Sequence, residues 1–146
     1  MSRTGLAFYS RLPIFGRLHA CVAVIRDQEN FLVIERSDGR GLSFPGGLAF
    51  PWESAEDALA REVREETGLI VTKSRLLLRY DSSVEILVNL TAFEAEVSGE
   101  LRGSWEGTPC WRPRSELLQR ILPSQRRIVQ DFLSPEGFPT SVVIDR

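Results

Sequence analysis

Between Ser54 and Gly68 the sequence spells out one amphipathic helix with both ends marked, and no other segment constrains the chain as strongly. Ser54 suits the N-cap, where its hydroxyl accepts from a first-turn backbone N–H that has no partner inside the helix. Asp57, three residues on, completes a capping-box pattern. Ala55, Leu59 and Val63 recur every four residues and form an apolar stripe that must dock on other structure. Gly68 fits the position just past the last turn, where a left-handed backbone costs glycine little. The spacing predicts a helix from Ala55 to Thr67.

The charges on that helix need a reason. Glu62, Glu65 and Glu66 project from neighbouring positions, and like charges at this spacing repel by roughly 0.2–0.5 kcal/mol per pair. They lie beyond the first turn, where the helix dipole would favour acids. Hard divalent cations such as Mg²⁺ take oxygen ligands, and a carboxylate cluster beside a phosphate-bearing substrate is the usual way a protein supplies them. Arg61 adjoins Glu62, precedes Glu65 by four residues, and can reach back to Glu53, so its charge could orient the acids. Gly46 and Gly47 would let loop backbone approach a metal or phosphate where a side chain would obstruct. The run Arg64 to Thr67 taken alone reads as an ordinary solvated face; only the wider spacing says otherwise.

Flanking elements follow from pattern. His19–Ile25 and Phe31–Glu35 are apolar runs around the polar turn Asp27–Asn30 and read as a β-hairpin. Leu42–Phe44 is a short extended piece, and Pro45-Gly46-Gly47 breaks regular structure. Leu69–Thr72, Arg75–Tyr80 and Glu85–Val97 read as strands of a mixed or antiparallel sheet, and Gly103–Pro113 as a loop rich in Gly, Pro and Trp. Ser115–Leu133 carries helical periodicity interrupted at Pro123. Residues 1–18 form an ambiguous N-terminal segment, 19–133 the domain, and 134–146 a tail with a short strand at Ser141–Ile144.

With 146 residues, 42% hydrophobic and 26% charged, the chain can build one core and is too apolar to be disordered. A net charge of −2 gives no global attraction to nucleic acid, although Arg outnumbers Lys 17 to 1 and grips phosphate with two prongs. Cys21 and Cys110 are too few and too far apart for a disulfide framework or a Cys-based zinc site, so a reducing cytoplasm is the default. No apolar run approaches the roughly 20 residues of a membrane helix, and the first residues lack the apolar core of an export signal.

Gly47, five residues, Glu53, seven residues, Arg61-Glu62-Val63, one residue, Glu65-Glu66, one residue, Gly68-Leu69 resembles the complete Nudix box. A chance match at all nine specified positions has a probability on the order of 10⁻⁸ at ordinary residue frequencies. The resemblance implies an α/β/α sandwich around a central mixed sheet, in a single domain. It implies hydrolysis of a nucleoside diphosphate linked to another group X, by metal-assisted attack of water on phosphorus. On matching positions, Glu62, Glu65 and Glu66 become ligands of Mg²⁺ or Mn²⁺ and the catalytic acids, Gly47 offers a carbonyl, and Glu53 with Arg61 forms a structural ion pair. The expected partner is a small nucleotide derivative rather than a membrane or nucleic acid, and a homodimer is an admissible assembly.

The sequence departs from the family in the loop, where Phe50 stands in place of an acid and Trp52 in place of a glycine. Two rings near the phosphates could stack on a base or support the loop, so Phe50 and Trp52 are candidate substrate contacts. Trp105 is a third, while Trp111 reads as packing. Glu106, between them, is a candidate general base on a loop that could move over the metal site, beside the plainer reading of a solvated acid. His19 is the only histidine, with no nucleophile motif nearby, which disfavours a catalytic triad. The rival to hydrolysis is a nucleotide-sensing module that keeps the fold without turnover.

Overall fold

The computed structural model describes residues 18–82 and 88–132; the expectations for the N-terminal segment, for the start of the strand at Glu85, and for Ser141–Ile144 lie outside these. Strand β1 (Leu18–Val24) is apolar at nearly every position because both of its faces are covered. Cys21, Ala23 and Ile25 point into one core cluster, and Val22 and Val24 into another, the alternation that a period of two imposes.

β1 runs parallel to β7 (Val88–Ser98) and antiparallel to β5 (Gly46–Leu48), and β6 (Ile70–Ser82) pairs antiparallel with β7. The first sheet therefore has the order β5-β1-β7-β6 and is mixed. A second sheet is built on β3 (Asn30–Arg36), which pairs with β2 (Arg26–Asp27), β4 (Leu42–Ser43) and β8 (Gly107–Pro113), all antiparallel. Helix α1 (Ala55–Thr67) packs Ala58, Leu59 and Val63 on the Cys21 and Ala23 side. Helices α2 (Arg114–Arg120) and α3 (Arg126–Phe132), joined by a 3₁₀ turn at Pro123–Gln125, place Leu117, Ile128 and Val129 in the opposite cluster with Phe31, Phe44 and Leu78. The result is an α/β/α sandwich around a mixed sheet. No helix among the described residues is long and apolar enough to cross a membrane.

Three local expectations change. The apolar runs at His19–Ile25 and Phe31–Glu35 do not pair along their length; the hairpin is confined to Arg26↔Phe31 and Asp27↔Asn30, with the Leu32 N–H donating to the Ile25 carbonyl at 2.9 Å, and His19–Val24 belongs to the other sheet. A strand buried on both faces needs a central place, and β7 supplies it. The expected loop at Gly103–Pro113 contains β8, in register with β3 from Asn30↔Pro113 to Arg36↔Gly107. Its prolines look like breakers, yet β8 is an outer strand that can spare the missing N–H groups. Leu69–Thr72 and Arg75–Tyr80 fuse into the single strand β6, whose register with β7 shifts at Val71/Lys73 and again at Leu76/Leu78.

Helix α1 is capped as its sequence requires. The Asp57 N–H donates to the Ser54 hydroxyl at 3.1 Å, and Gly68, at φ 78°, donates its N–H to the Arg64 carbonyl at 2.9 Å. Ser54→Ala should therefore cost about 1 kcal/mol in denaturant unfolding. Gly68→Ala should cost more, because its Cβ would stand 2.6 Å from the Arg102 side chain in addition to the left-handed backbone.

Candidate functional site

The turn entering β5 lies so close to β1 and α1 that side chains are excluded from it. A Cβ on Gly46 would sit 2.0 Å from the Cys21 carbonyl oxygen, and one on Gly47 would sit 2.7 Å from the Glu62 carboxylate carbon. Backbone thus lies directly on a helix acid. One turn further along α1, Glu66 Oε1 accepts from the Gly46 N–H at 3.3 Å. Both carboxylates are removed from bulk water, Glu62 at 3% exposure and Glu66 at 5%, and both face a cavity of about 770 Å³.

Burial sets their electrostatics. It is the largest influence on Glu66, reinforced by repulsion from Glu106 and Glu62, and pushes this carboxyl up to about 9. Glu62 is also pushed up by burial, against the pull of the Arg61 guanidinium. The Cys21 thiol donates to the Gly47 carbonyl at 3.7 Å, and burial pushes it up to about 12, so it is an inert packing group.

Arg61 ties the acids to the loop. Its Nε and Nη2 each donate to Glu53 at 2.9 Å, Nη2 also reaches the Leu48 carbonyl at 3.2 Å, and Nη1 donates to Glu62 at 3.0 Å. Glu53 in turn accepts from the Phe50 N–H at 2.8 Å. Arg61 holds the Glu53 carboxyl below the usual glutamate range. Glu65 stands apart: its side chain is 60% exposed, off the Glu62–Glu66 line, and touches Arg61 at 3.5 Å. Among the described residues no three His, Cys, Asp or Glu side chains converge closely enough to hold an ion unaided.

Glu106 does line the cavity, on a turn that is tied down. Its carbonyl accepts from the Ser37 N–H and from the Ser37 hydroxyl at 3.0 Å each, and that hydroxyl also reaches the Trp105 carbonyl at 3.0 Å. The turn between β7 and β8 is thereby pinned to the loop after β3, which does not match the expectation of a swinging loop. Trp105 stands at the cavity rim, 75% exposed. Phe50 and Trp52 are not among the lining residues; Phe50 lies on Arg61, and Trp52 on Phe50. Trp111 packs against the core cluster beneath α1.

Sequence reasoning missed Gln125. It is 7% exposed, lines the cavity, and accepts from the Phe44 N–H at 2.8 Å, bridging the 3₁₀ turn to the strand before the glycines. Tyr80 donates to the neighbouring Ser124 carbonyl at 2.6 Å and fixes that turn from below. The only local signal was the Pro123 interruption, since a lone glutamine carries no periodicity. At the rim, Arg36 grips Asp38 and holds its carboxyl down at about 2.

Comparison with known proteins gives a consistent result. A family model described as NUDIX domain matches residues 16–132. A Bacillus subtilis (strain 168) protein provisionally named 8-oxo-dGTP diphosphatase is 28% identical over 119 residues, 77% of each chain. A MutT-like protein of Streptomyces ambofaciens is 34% identical over 100 residues, 67% of this chain and 64% of that one. The solution structure of the E. coli ORF135 protein superposes with a TM-score of 0.68 at 27% identity, covering 77% of this chain and 86% of that one.

The Glu53–Arg61 pair has a testable pH signature. Because Arg61 lowers the folded-state value of Glu53, the pair's contribution is present above the unfolded glutamate range and is lost as pH falls through the lowered value. Glu53→Gln should reduce the melting temperature at neutral pH, and the gap to the parent protein should narrow on acidification. A gap that stays constant down to acid pH would exclude this ion pair as its source.

Proposed function

This chain belongs to the Nudix family and is a pyrophosphohydrolase acting on phosphorus-containing anhydrides, and we propose that it cleaves a nucleoside di- or triphosphate derivative with Glu62 and Glu66 holding a divalent cation. The observation that carries this reading is the pair of buried carboxylates walling the cavity at the Gly46-Gly47 turn.

The donor set fits a hard cation. Two carboxylates pressed together out of water are costly for one another, and a divalent ion between acid and phosphate offsets that cost. Mg²⁺, or Mn²⁺ in its place, suits all-oxygen ligation that leaves positions for water and substrate oxygens. The Gly47 carbonyl and, after side-chain rotation, Glu65 would complete the protein's share. When bound, such an ion neutralises phosphate charge and lowers the pKa of a coordinated water.

The protein's own groups do the rest. Arg61 orients Glu62, and the Gly46 N–H orients Glu66. Glu106 lines the cavity on a turn whose backbone Ser37 pins, which supports a role in taking the proton of the attacking water. At the mouth Arg36 and Arg40 outweigh the one acid, Asp38, that Arg36 grips, which supports phosphate binding there, and Trp105 offers a face for a base. Gln125 spends its amide oxygen on Phe44, so it presents N–H donors to the cavity, a match for an acceptor-bearing base edge. The naming of the B. subtilis relative after an oxidised guanine nucleotide makes purine triphosphates the first substrates to try.

A panel of nucleoside triphosphates, oxidised and plain, with nucleotide sugars and dinucleotides, assayed with Mg²⁺ and with product identification, tests the reading. Glu62→Gln and Glu66→Gln should each lose about two orders of magnitude in turnover while unfolding cooperatively. Near-parental rates in both would sink the assignment. Glu106→Gln should remove one ionisation from the single-turnover pH profile; an unchanged profile would place the base elsewhere.

A further inference from the structure

Two large rings beside the site are used by none of the chemistry above. The Phe50 ring lies over the Arg61 guanidinium, whose central carbon is 4.3 Å from the ring centroid. The Trp52 indole stacks on Phe50 with centroids 5.0 Å apart and planes 15° from parallel. Trp52 is 79% exposed, so core packing does not explain it.

The guanidinium edge is already committed to Glu53, Leu48, Glu62 and Glu65. What remains open on Arg61 is its flat face, and water reaching that face would screen the charge that orients Glu62. An aromatic face is the surface that covers a guanidinium without competing for its hydrogen bonds, since the ring attracts the cation through its quadrupole and offers no acceptor in the plane. The same residue is fixed from behind, because the Phe50 N–H donates to the carboxylate that Arg61 grips. Backbone, carboxylate, guanidinium and ring thus close a small circuit with Glu62 at its outlet.

We propose that Phe50, covered by Trp52, is a positioning residue that keeps water off the face of Arg61 and so holds Glu62 in the orientation that binds the cation. The rings act on the metal site through Arg61 and do not touch substrate. This rests on the reading that Glu62 and Glu66 hold a divalent ion, and the test separates the two.

Mn²⁺ binding is measured without substrate, by the resonance signal of the free ion, on the full chain and on Phe50→Leu, Phe50→Tyr and Trp52→Ala. Exchange of the Arg61 Nε–H with water is followed by NMR in the same proteins. Phe50→Leu should weaken Mn²⁺ binding about two- to fivefold, the size of one part-exposed cation–π contact, and should speed the Nε–H exchange. Phe50→Tyr, which keeps the ring face, should restore both, and Trp52→Ala should fall between. Unchanged exchange and affinity in Phe50→Leu overturn the proposal, as does a Tyr variant as impaired as the Leu variant. A higher KM for the best substrate with Mn²⁺ affinity intact would instead make the rings substrate contacts. If the parent protein binds no Mn²⁺, the cation reading fails, while the exchange arm still decides whether the rings shield Arg61.

Discussion

Two carboxylates held side by side out of water are the costly element around which this molecule is arranged. Burying an ionised acid without compensation is among the least favourable things a protein can do. Here Glu62 has Arg61, while Glu66 has the Gly46 N–H and the Glu62 carboxyl itself, so burial and repulsion among the acids push both up, and on the cavity side no cation among the described residues pairs with Glu66. Helix α1 can present them there only because its other face, through Ala58, Leu59 and Val63, is seated firmly on β1. The glycines of β5 then bring backbone where any side chain would collide. The stability of the sandwich thereby supports a local arrangement that would be unfavourable by itself, which is a common signature of a site kept for function.

What could be read from the sequence was what is local. The cap at Ser54, the stop at Gly68 and the apolar stripe between them depend on residues within one or two turns, and they appear in the structure as their pattern required. The box spacing likewise named Glu62 and Glu66, which come to line one cavity, and Glu53 with Arg61, which pair. Pairing partners were not legible to the same degree. The run at Phe31–Glu35 is the return of a hairpin only at its start, and its full-length partner is β8, more than seventy residues later by number, which no local cue announces. Gln125 was invisible for the same reason, since its role is defined by Phe44, a contact the fold makes and the chain order does not.

Periodicity also overstated how closely the acids cluster. Positions three and four apart are neighbours on a helix, yet the surface they meet is not uniform: the line through Glu62 and Glu66 meets β5, and Glu65 clears it and stays in solvent. Helical geometry alone can say that side chains are near one another, not which of them the tertiary structure will cover. The loop aromatics show the converse. As departures from the family pattern they suggested either a substrate contact or support of the loop, and in the structure Phe50 lies on Arg61 and Trp52 on Phe50.

The outer strands of the first sheet differ greatly in length. On one side β5 has only 3 residues and on the other β6 has 13, long enough to act as a template for a foreign strand. The two register shifts against β7 change that, because each bulge interrupts the even row of backbone groups and adds local twist. Lys73, beside the first shift, places positive charge on the same margin, while Arg75 reaches across to Glu94 of β7 at 3.0 Å. An incoming chain would have to follow an uneven ladder past that lysine, which is how natural sheets discourage open-ended growth. The irregularities that complicate the pairing of β6 thus make this margin a poor template for an added strand.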